Sequence, residues 1–114
     1  MESILKQGLE SLGLDAAAIP TLTEFARRLL EKNKVMNLTA ITEPRDVATL
    51  HLLDCAYLLT AADFRGQAVV DVGTGAGFPG MPMAILEPTA RLTLLDSLGK
   101  RIDFLQETAE ALKL

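Results

Sequence analysis

The sequence predicts an α/β fold with a helical first half and a parallel sheet that begins in the second half. Apolar residues follow helical spacing through residues 1–62. Residues 63–114 instead alternate two short strand-like runs with two helical segments, and a glycine-rich stretch, VVDVGTGAGFPG, includes the end of the first strand. We therefore expect a helical extension over 1–62 and the first β-α-β-α units of a Rossmann-like sheet over 63–114.

Composition and charge limit the classes of protein to consider. The chain has 114 residues, of which 49% are hydrophobic and 23% charged, as in a small globular domain. Its one cysteine, Cys55, permits no intrachain disulfide and fits an intracellular setting. No apolar run approaches the roughly 20 residues of a membrane span, so we expect no membrane partner. The net charge of −4 argues mildly against nucleic-acid binding but leaves room for a local basic patch.

Three helices are predicted in the first half. The first ends at Gly13. Thr21 and Glu24 have the spacing of a capping box that begins the second helix. The NLTAITEP stretch is rich in turn-forming residues and predicts a loop, and the third helix is expected to begin near Asp46. Helical spacing predicts that the apolar face of the third helix contains Val47, Leu50, Leu53, Tyr57 and Leu58.

Two strands and two helices are predicted in the second half. The strand candidates are Ala68–Val72 and Arg91–Leu95. Pro79 suits the first turn of the intervening helix, because its missing N–H costs nothing there, and Pro88 ends that helix. Ser97 is expected to cap the last helix. The apolar stripe of that helix is predicted to comprise Leu98, Ile102, Leu105, Ala109 and Leu112.

The glycine-rich stretch between the first strand and its helix has the features of a nucleotide site. Glycine permits positive φ and removes the Cβ that would block a ligand, and a helix amino terminus adds unpaired N–H donors. Asp96 follows the second strand, 21 residues after Gly75. That spacing suits a carboxylate that accepts hydrogen bonds from both ribose hydroxyls of the same ligand. The sequence therefore predicts a cofactor that contains a nucleoside.

Two cofactor motifs overlap in this stretch. Gly75, Gly77 and Gly80 form G-x-G-x-x-G, the dinucleotide motif. Asp71 with Gly73 and the next two glycines forms D-x-G-x-G-x-G, which is typical of S-adenosylmethionine-dependent methyltransferases. A carboxylate at Asp71 would attract the cationic amino group of a methionine moiety and would repel a pyrophosphate. We therefore favour S-adenosylmethionine over NAD. The alternatives are an NAD-binding oxidoreductase fragment and a non-enzymatic segment that binds a nucleoside or nothing.

Four blocks of sequence indicate a particular family. NLTAITEP, HLLD, DVGTGAGFPG and LLDSLGKRIDFL occur in that order, and with them the chain closely resembles the glucose-inhibited division protein B family. Members are bacterial methyltransferases that act on N7 of a guanine in 16S rRNA. The resemblance implies a cytoplasmic enzyme with S-adenosylmethionine as cofactor and 16S rRNA, or a small ribosomal subunit particle, as partner. Cys55 stands where the family usually has the serine of HLLDS.

The resemblance also implies which residues bind the cofactor. Gly73 and Phe78 match cofactor contacts of the family. The residues that match the general methyltransferase motif are Asp71, Gly75, Gly77 and Asp96. Guanine N7 carries a free lone pair, so its methylation needs no proton removal, and we expect no catalytic base. One histidine and one cysteine make no credible zinc site, so no metal is expected either.

The length of the chain differs from that of the family, whose members are about twice as long. A doubly wound sheet needs about five or six strands, and only two are predicted here. We therefore expect a truncated sheet that forms the cofactor-binding half of the enzyme, and whether this half is active alone stays open. Such a chain is expected to be marginally stable or to self-associate through an exposed strand edge.

Several residues of the helical half are candidates for substrate contact. Basic side chains of the second helix could meet rRNA phosphates, although acids dilute that face and a solvated helix surface is the simpler interpretation. His51 and Asp54 share a helix face. They form either a functional pair near the cofactor or RNA or, as we favour, a structural hydrogen bond that ties the helical extension to the sheet. The candidate substrate-contacting residues are Arg27, Arg28, Lys32, Lys34, Asn37 and His51.

Overall fold

The computed structural model describes all 114 residues and begins with three helices, as the spacing of apolar residues predicts. Helix α1 spans Glu2–Ser11 and helix α2 spans Ile19–Met36. Helix α3 is continuous but changes type along its length. Its first turn, Pro44–Asp46, is α-helical, the segment Val47–Leu52 is π-helical, and Leu53–Ala61 is α-helical again. None of these helices, nor the later ones, combines the length and hydrophobicity needed to cross a membrane.

The start of α2 differs from the predicted capping box, which is wrong. Asp15 accepts a hydrogen bond from the backbone N–H of Ala17 and starts a 3-10 turn, Ala16–Ala18, that runs directly into α2. Thr21 therefore lies inside the helix, where it caps nothing. The Glu24 carboxylate pairs instead with arginine side chains of the same helix. Asp15 caps the turn that leads into α2, so the helical segment starts upstream of Thr21.

The apolar face of α3 matches the predicted one only in part, since Val47 is buried and Leu53 packs on the core. The helix begins at Pro44, two residues before the predicted start at Asp46. Leu50, Tyr57 and Leu58 are exposed. The buried residues of the helix are Val47, Ala48, Leu52, Cys55 and Ala56. A π-helix bonds each N–H to the carbonyl five residues earlier and so has more residues per turn than an α-helix. The π segment therefore rotates the residues within it and after it, and a fixed period of 3.6 assigns some of them to the wrong face.

The second half forms the predicted β-α-β-α unit. Strand β1 is Ala68–Val72 and strand β2 is Arg91–Leu95, and the two pair in parallel. Helix α4, Gly80–Leu86, connects them, and helix α5, Gly99–Ala111, follows β2. Both strands have the bounds predicted for them. The two-stranded parallel sheet with its helices confirms the predicted α/β fold class.

The last helix does not begin at the predicted cap. Ser97 makes no capping hydrogen bond, and the helix starts two residues later, with Leu98 as its N-cap residue. The Asp96 carboxylate accepts the hydrogen bond from the N–H of Leu98 and so replaces the serine. Leu98 is exposed, and the buried residues of α5 are Phe104, Leu105 and Thr108.

One face of the sheet packs against helices and the other is open to solvent. Alternate residues of both strands are half-buried and exposed. The open face carries Val70, Val72 and Leu95, which are 57%, 77% and 48% exposed. Parallel sheets usually have helices on both faces, so an exposed apolar face on a parallel sheet is unusual.

A single hydrophobic core joins the two halves of the chain. From the helical half it takes Phe25 and Leu29 of α2 and Leu52 of α3. From the sheet half it takes Met81 of α4 and Leu105 of α5. The helices of residues 1–62 therefore pack directly on the unit that carries the glycine-rich loop, and they fix the position of that loop.

Candidate functional site

The loop between β1 and α4 contains three glycines with positive φ. Gly73, Gly75 and Gly77 have φ of +70°, +60° and +103°, a region that glycine enters without steric cost. A Cβ at Gly73 or Gly75 would meet no atom within 4 Å. A Cβ at Gly77 would lie 2.7 Å from the Met81 side chain and 2.8 Å from that of Leu105. Gly77 therefore allows tight packing beneath the loop, whereas the other two leave its outer surface open.

The Asp71 carboxylate holds the two ends of this loop together. Its Oδ2 accepts hydrogen bonds from the Thr74 hydroxyl at 2.6 Å and from the backbone N–H of Gly80 at 3.0 Å. A Cβ at Gly80 would lie 2.9 Å from the same oxygen, so glycine permits this close approach. Asp71 Oδ1 accepts no hydrogen bond from the chain. One oxygen of the carboxylate is therefore structural, and the other makes no hydrogen bond within the chain.

The Asp96 carboxylate connects the end of β2 to the same loop. Its Oδ2 accepts a hydrogen bond from the backbone N–H of Gly75 at 2.8 Å, and its Oδ1 accepts one from Leu98 at 3.0 Å. Arg101 lies 3.4 Å from Oδ1, and the Asp96 side chain is only 3% exposed. The backbone N–H groups of Leu98 and Gly75 are the main cause of a lowered pKa at Asp96. The carboxylate is therefore ionised at neutral pH and mostly enclosed.

Phe78, at the end of the loop, is held by two aromatic rings of the helical half. The His51 ring stacks on it, with centroids 4.2 Å apart and planes within 9°. Phe25 meets it in an edge contact, with centroids 5.5 Å apart. The side chains of α2 and α3 thus fix the position of the loop residue predicted to contact the cofactor.

His51 is itself oriented by a threonine of the loop before α3. Its Nε2 lies 3.1 Å from the Thr39 hydroxyl, which also accepts a hydrogen bond from the N–H of Ile41. Burial lowers the pKa of His51, and the nearby Asp54 carboxylate opposes that change. No hydrogen bond joins His51 to Asp54. The structural hydrogen bond predicted for the His51 and Asp54 pair is therefore absent, and His51 connects the helices to the loop by stacking on Phe78 instead.

Most of the basic candidates on α2 pair with acids of the same helix. Arg27 and Arg28 both pair with Glu24, at 2.6 and 3.2 Å, and the hydrogen bond from Arg27 lowers the pKa of Glu24 to about 2. Lys34 lies 3.3 Å from Glu31. Of these basic side chains, only Lys32 has no acidic partner, and it lines a groove between α2 and α5. The neighbouring candidate Asn37 ends α2 in the left-handed conformation, with φ of 44°.

Three residues support the site through contacts that were not predicted from the sequence. Thr74 is buried and donates to Asp71, Thr39 orients His51, and Phe25 packs on Phe78. For Thr74 a local signal exists, since a hydroxyl three residues after a carboxylate can close a short hydrogen bond to it. The other two contacts join residues far apart in sequence, so no local pattern indicates them.

The fold and this loop define a class of protein. They are those of α/β proteins that bind ligands at the carboxyl ends of parallel strands, where a glycine loop leads into a helix. A family profile described as "GidB: rRNA small subunit methyltransferase G" matches residues 18–114. The chain belongs to the rRNA small subunit methyltransferase G family.

Curated relatives carry the same name. The chain is 44% identical over 119 residues to a ribosomal RNA small subunit methyltransferase G of Alkaliphilus metalliredigens, covering 100% of this chain and 50% of the relative. It is 49% identical over 114 residues to one of Clostridium perfringens, covering 97% and 48%. It is 45% identical over 111 residues to one of Symbiobacterium thermophilum, covering 95% and 45%. The chain spans about half the length of the curated relatives it matches.

Proposed function

We propose that this chain is the cofactor-binding part of an S-adenosylmethionine-dependent enzyme that methylates N7 of a guanine in 16S rRNA. Membership of a family of rRNA small subunit methyltransferases supports the reaction and the substrate class. The observation that carries the cofactor assignment is the open surface of the glycine loop at Gly73 and Gly75, with a carboxylate from the end of each strand beside it. The place of action would be the cytoplasm, where ribosomal subunits are assembled.

The residues present fit S-adenosylmethionine in charge and in space. Gly73 and Gly75 leave room for a ligand against the backbone. Asp71 has one carboxylate oxygen free, which suits the cationic amino group of the methionine moiety. Asp96 Oδ2 accepts a hydrogen bond from Gly75, and Oδ1 accepts one from Leu98. Each carboxylate oxygen has two lone pairs, so Asp96 retains capacity to accept hydrogen bonds from ribose hydroxyls. When bound, S-adenosylmethionine supplies an electrophilic methyl group.

The tasks left to the protein are orientation and exclusion of water. Guanine N7 has a lone pair and loses no proton on methylation, so a general base has nothing to remove. Phe78, Gly75 and Gly77 would contact the cofactor, and rigid placement of the loop by His51 and Phe25 reduces the freedom that has to be lost on binding. This arrangement supports a mechanism based on positioning.

Contact with rRNA phosphates by α2 belongs to the same proposal. Lys32 is the strongest candidate because Arg27, Arg28 and Lys34 already pair with acids. Lys32→Gln is expected to reduce the slope of log K for RNA binding against log salt concentration by about 1, because one phosphate contact is lost. Lys6→Gln, on the exposed surface of α1, is the matched control. If both substitutions change RNA binding equally, Lys32 does not make a specific contact with an rRNA phosphate.

Calorimetry with S-adenosylmethionine, S-adenosylhomocysteine and NADH tests the cofactor assignment. The two adenosyl ligands are expected to bind. Gly73→Ala, which places a methyl group in the open space above the loop, is expected to weaken that binding on the order of tenfold or more. Gly13→Ala is the control, because Gly13 has a similar φ of +72° and equal space but lies outside the loop.

Two outcomes would contradict the proposal. Binding of NADH without the adenosyl ligands would favour an oxidoreductase, which the Asp71 carboxylate near the loop disfavours by its repulsion of a pyrophosphate. Binding of none of the three would favour a segment without enzymatic function. Mass spectrometry of 16S rRNA for 7-methylguanosine, after incubation with the complete protein, tests the reaction itself.

A further inference from the structure

A cavity of about 340 Å³ lies between α3 and the end of the glycine loop. Its lining combines apolar, aromatic and acidic side chains from both halves of the chain. They include Leu50, His51, Asp54, Leu58, Phe78 and Pro79. Phe78 and Pro79 belong to the loop that is proposed to hold the cofactor, so the cavity and the cofactor site share a wall.

Asp54 is a carboxylate without a partner at this cavity. It is exposed, and neither a hydrogen bond nor an ion pair from the chain reaches it. Leu50 and Leu58 lie one helical turn before and after it and are 57% and 37% exposed. The cavity therefore presents a free hydrogen-bond acceptor between two apolar side chains, which suits a flat molecule with an apolar face and a polar edge.

The aromatic part of the cavity lining leaves the Asp54 charge uncompensated. His51 stacks flat on Phe78, and its Nε2 is engaged by the Thr39 hydroxyl. Because burial favours the neutral imidazole, His51 forms no strong ion pair with Asp54 at neutral pH. Aromatic side chains such as Phe and His are the surfaces on which unstacked nucleobases stack.

Among the RNA bases, guanine matches the carboxylate. Its Watson–Crick edge carries two adjacent donors, N1–H and the 2-amino group, which can be accepted by the two oxygens of one carboxylate. Adenine places the N1 acceptor at that edge, and uracil and cytosine each offer one donor beside acceptors. When guanine is held by this edge, N7 lies on the other side of the purine and stays free.

We propose that this cavity receives the target guanine, with Asp54 accepting hydrogen bonds from N1–H and the 2-amino group and with N7 left free for methylation. The proposal rests on the proposed function and assigns the base to a defined part of the chain. It makes Asp54 the residue that distinguishes guanine from adenine. The base enters out of its RNA stack, as in other enzymes that modify a nucleobase.

Titrations observed by NMR test the assignment without relying on turnover. Guanosine, inosine and adenosine 5′-monophosphates are the probes, each added to the protein saturated with S-adenosylhomocysteine. Guanosine monophosphate is expected to bind about tenfold or more tightly than adenosine monophosphate. Inosine monophosphate, which lacks the 2-amino group, should lie between them.

Two substitutions on α3 separate the role of Asp54 from general effects of charge. Asp54→Asn is expected to weaken binding of guanosine monophosphate about tenfold and to leave adenosine monophosphate unchanged, because the amide replaces one acceptor with a donor. Asp46→Asn, an exposed aspartate near the start of the same helix, should change neither. Because both side chains are exposed and unpaired, both variants are expected to fold.

The outcomes distinguish this inference from the proposed function. A guanine preference that Asp54→Asn removes supports the inference. Absence of guanosine monophosphate binding, no preference over adenosine monophosphate, or a preference that survives in Asp54→Asn overturns it. If S-adenosylhomocysteine still binds in those cases, the proposed function stands without this base site. If S-adenosylhomocysteine does not bind, the proposed function fails first.

Discussion

The backbone N–H of Gly75 donates a hydrogen bond to Asp96 Oδ2 at 2.8 Å, which joins residues 21 positions apart in the chain. The same carboxylate accepts the N–H of Leu98 and so also shapes the start of α5. The end of β2 therefore holds the loop that follows β1. Asp96, predicted to bind the ribose of the cofactor, has a structural role in this loop whether or not it binds the ligand.

A thermodynamic cycle that combines a substitution of Asp96 with a change in the ligand separates its role in holding the loop from its predicted role in binding ribose. Asp96→Asn and removal of the ribose 3′-hydroxyl from S-adenosylhomocysteine are each expected to weaken binding by about tenfold. If Asp96 accepts that hydroxyl, the two losses will not add when they are combined, and calorimetry measures the difference. Losses that add fully would restrict Asp96 to holding the loop.

Gly77→Ala is expected to destabilise the fold by about 2–4 kcal/mol. The new Cβ would be forced against Met81 and Leu105, and the positive φ adds strain. Urea denaturation followed by circular dichroism measures the change in the free energy of unfolding. Gly13→Ala provides the comparison, with similar φ but open space, and is expected to cost about 1 kcal/mol. Similar losses at both positions would show that packing beneath the loop is loose.

Asp71→Ala is expected to cost about 2–4 kcal/mol of folding free energy. It leaves the buried Thr74 hydroxyl and the N–H of Gly80 without an acceptor, and each orphaned group costs about 1–3 kcal/mol. Asp71→Asn retains one side-chain oxygen and should cost less. The two variants are compared by chemical denaturation. An Asp71→Ala variant as stable as the wild type would mean that water replaces both hydrogen bonds.

The stability of the fold is expected to decrease as the pH falls below about 6.5, the ordinary pKa of histidine. His51 is the only histidine, and burial lowers its pKa in the folded chain. The unfolded chain therefore takes up a proton at a pH where the folded chain resists it. The contribution of His51 to the free energy of unfolding is fully present above its pKa in the unfolded chain. It is lost as the pH falls toward its lower pKa in the folded chain.

His51→Gln tests this pH dependence. The variant removes the titrating group, so the free energy of unfolding should change less between about pH 7.5 and about pH 5 than it does in the wild type. The acids with resolved shifts, Glu24, Asp63 and Asp96, have lowered pKa values and titrate below that window. Equal slopes in the two proteins would show that protonated His51 is tolerated in its stack on Phe78.

The exposed face and edges of the sheet are expected to promote self-association of this chain. Val72 and Val35 are both 77% exposed, but Val72 lies in β1 and Val35 lies on α2. Val72→Lys should reduce concentration-dependent association in sedimentation velocity, because a lysine on an open strand disfavours strand pairing. Val35→Lys serves as the control and should have no effect. A monomeric wild-type chain at all concentrations would contradict the prediction.

Local sequence determined the order of elements in the second half. The short β-branched run of Ala68–Val72 and the leucine-rich run of Arg91–Leu95 are bounded by glycine, proline and aspartate, so both strands were predictable at their observed ends. Helix starts were less predictable, because several side chains compete for the same N–H groups. Asp15 displaced the Thr21 cap, and Asp96 displaced Ser97.

The sequence by itself determined the glycine loop, the carboxylate before it and the family to which the chain belongs, because each depends on spacing along the chain. Only the tertiary structure decided that the π-helical segment turns Leu50 outward and that His51 stacks on Phe78. It also decided that Asp96 closes on Gly75. These contacts join residues far apart in sequence, and they depend on how helices pack on the sheet unit, which no local pattern encodes.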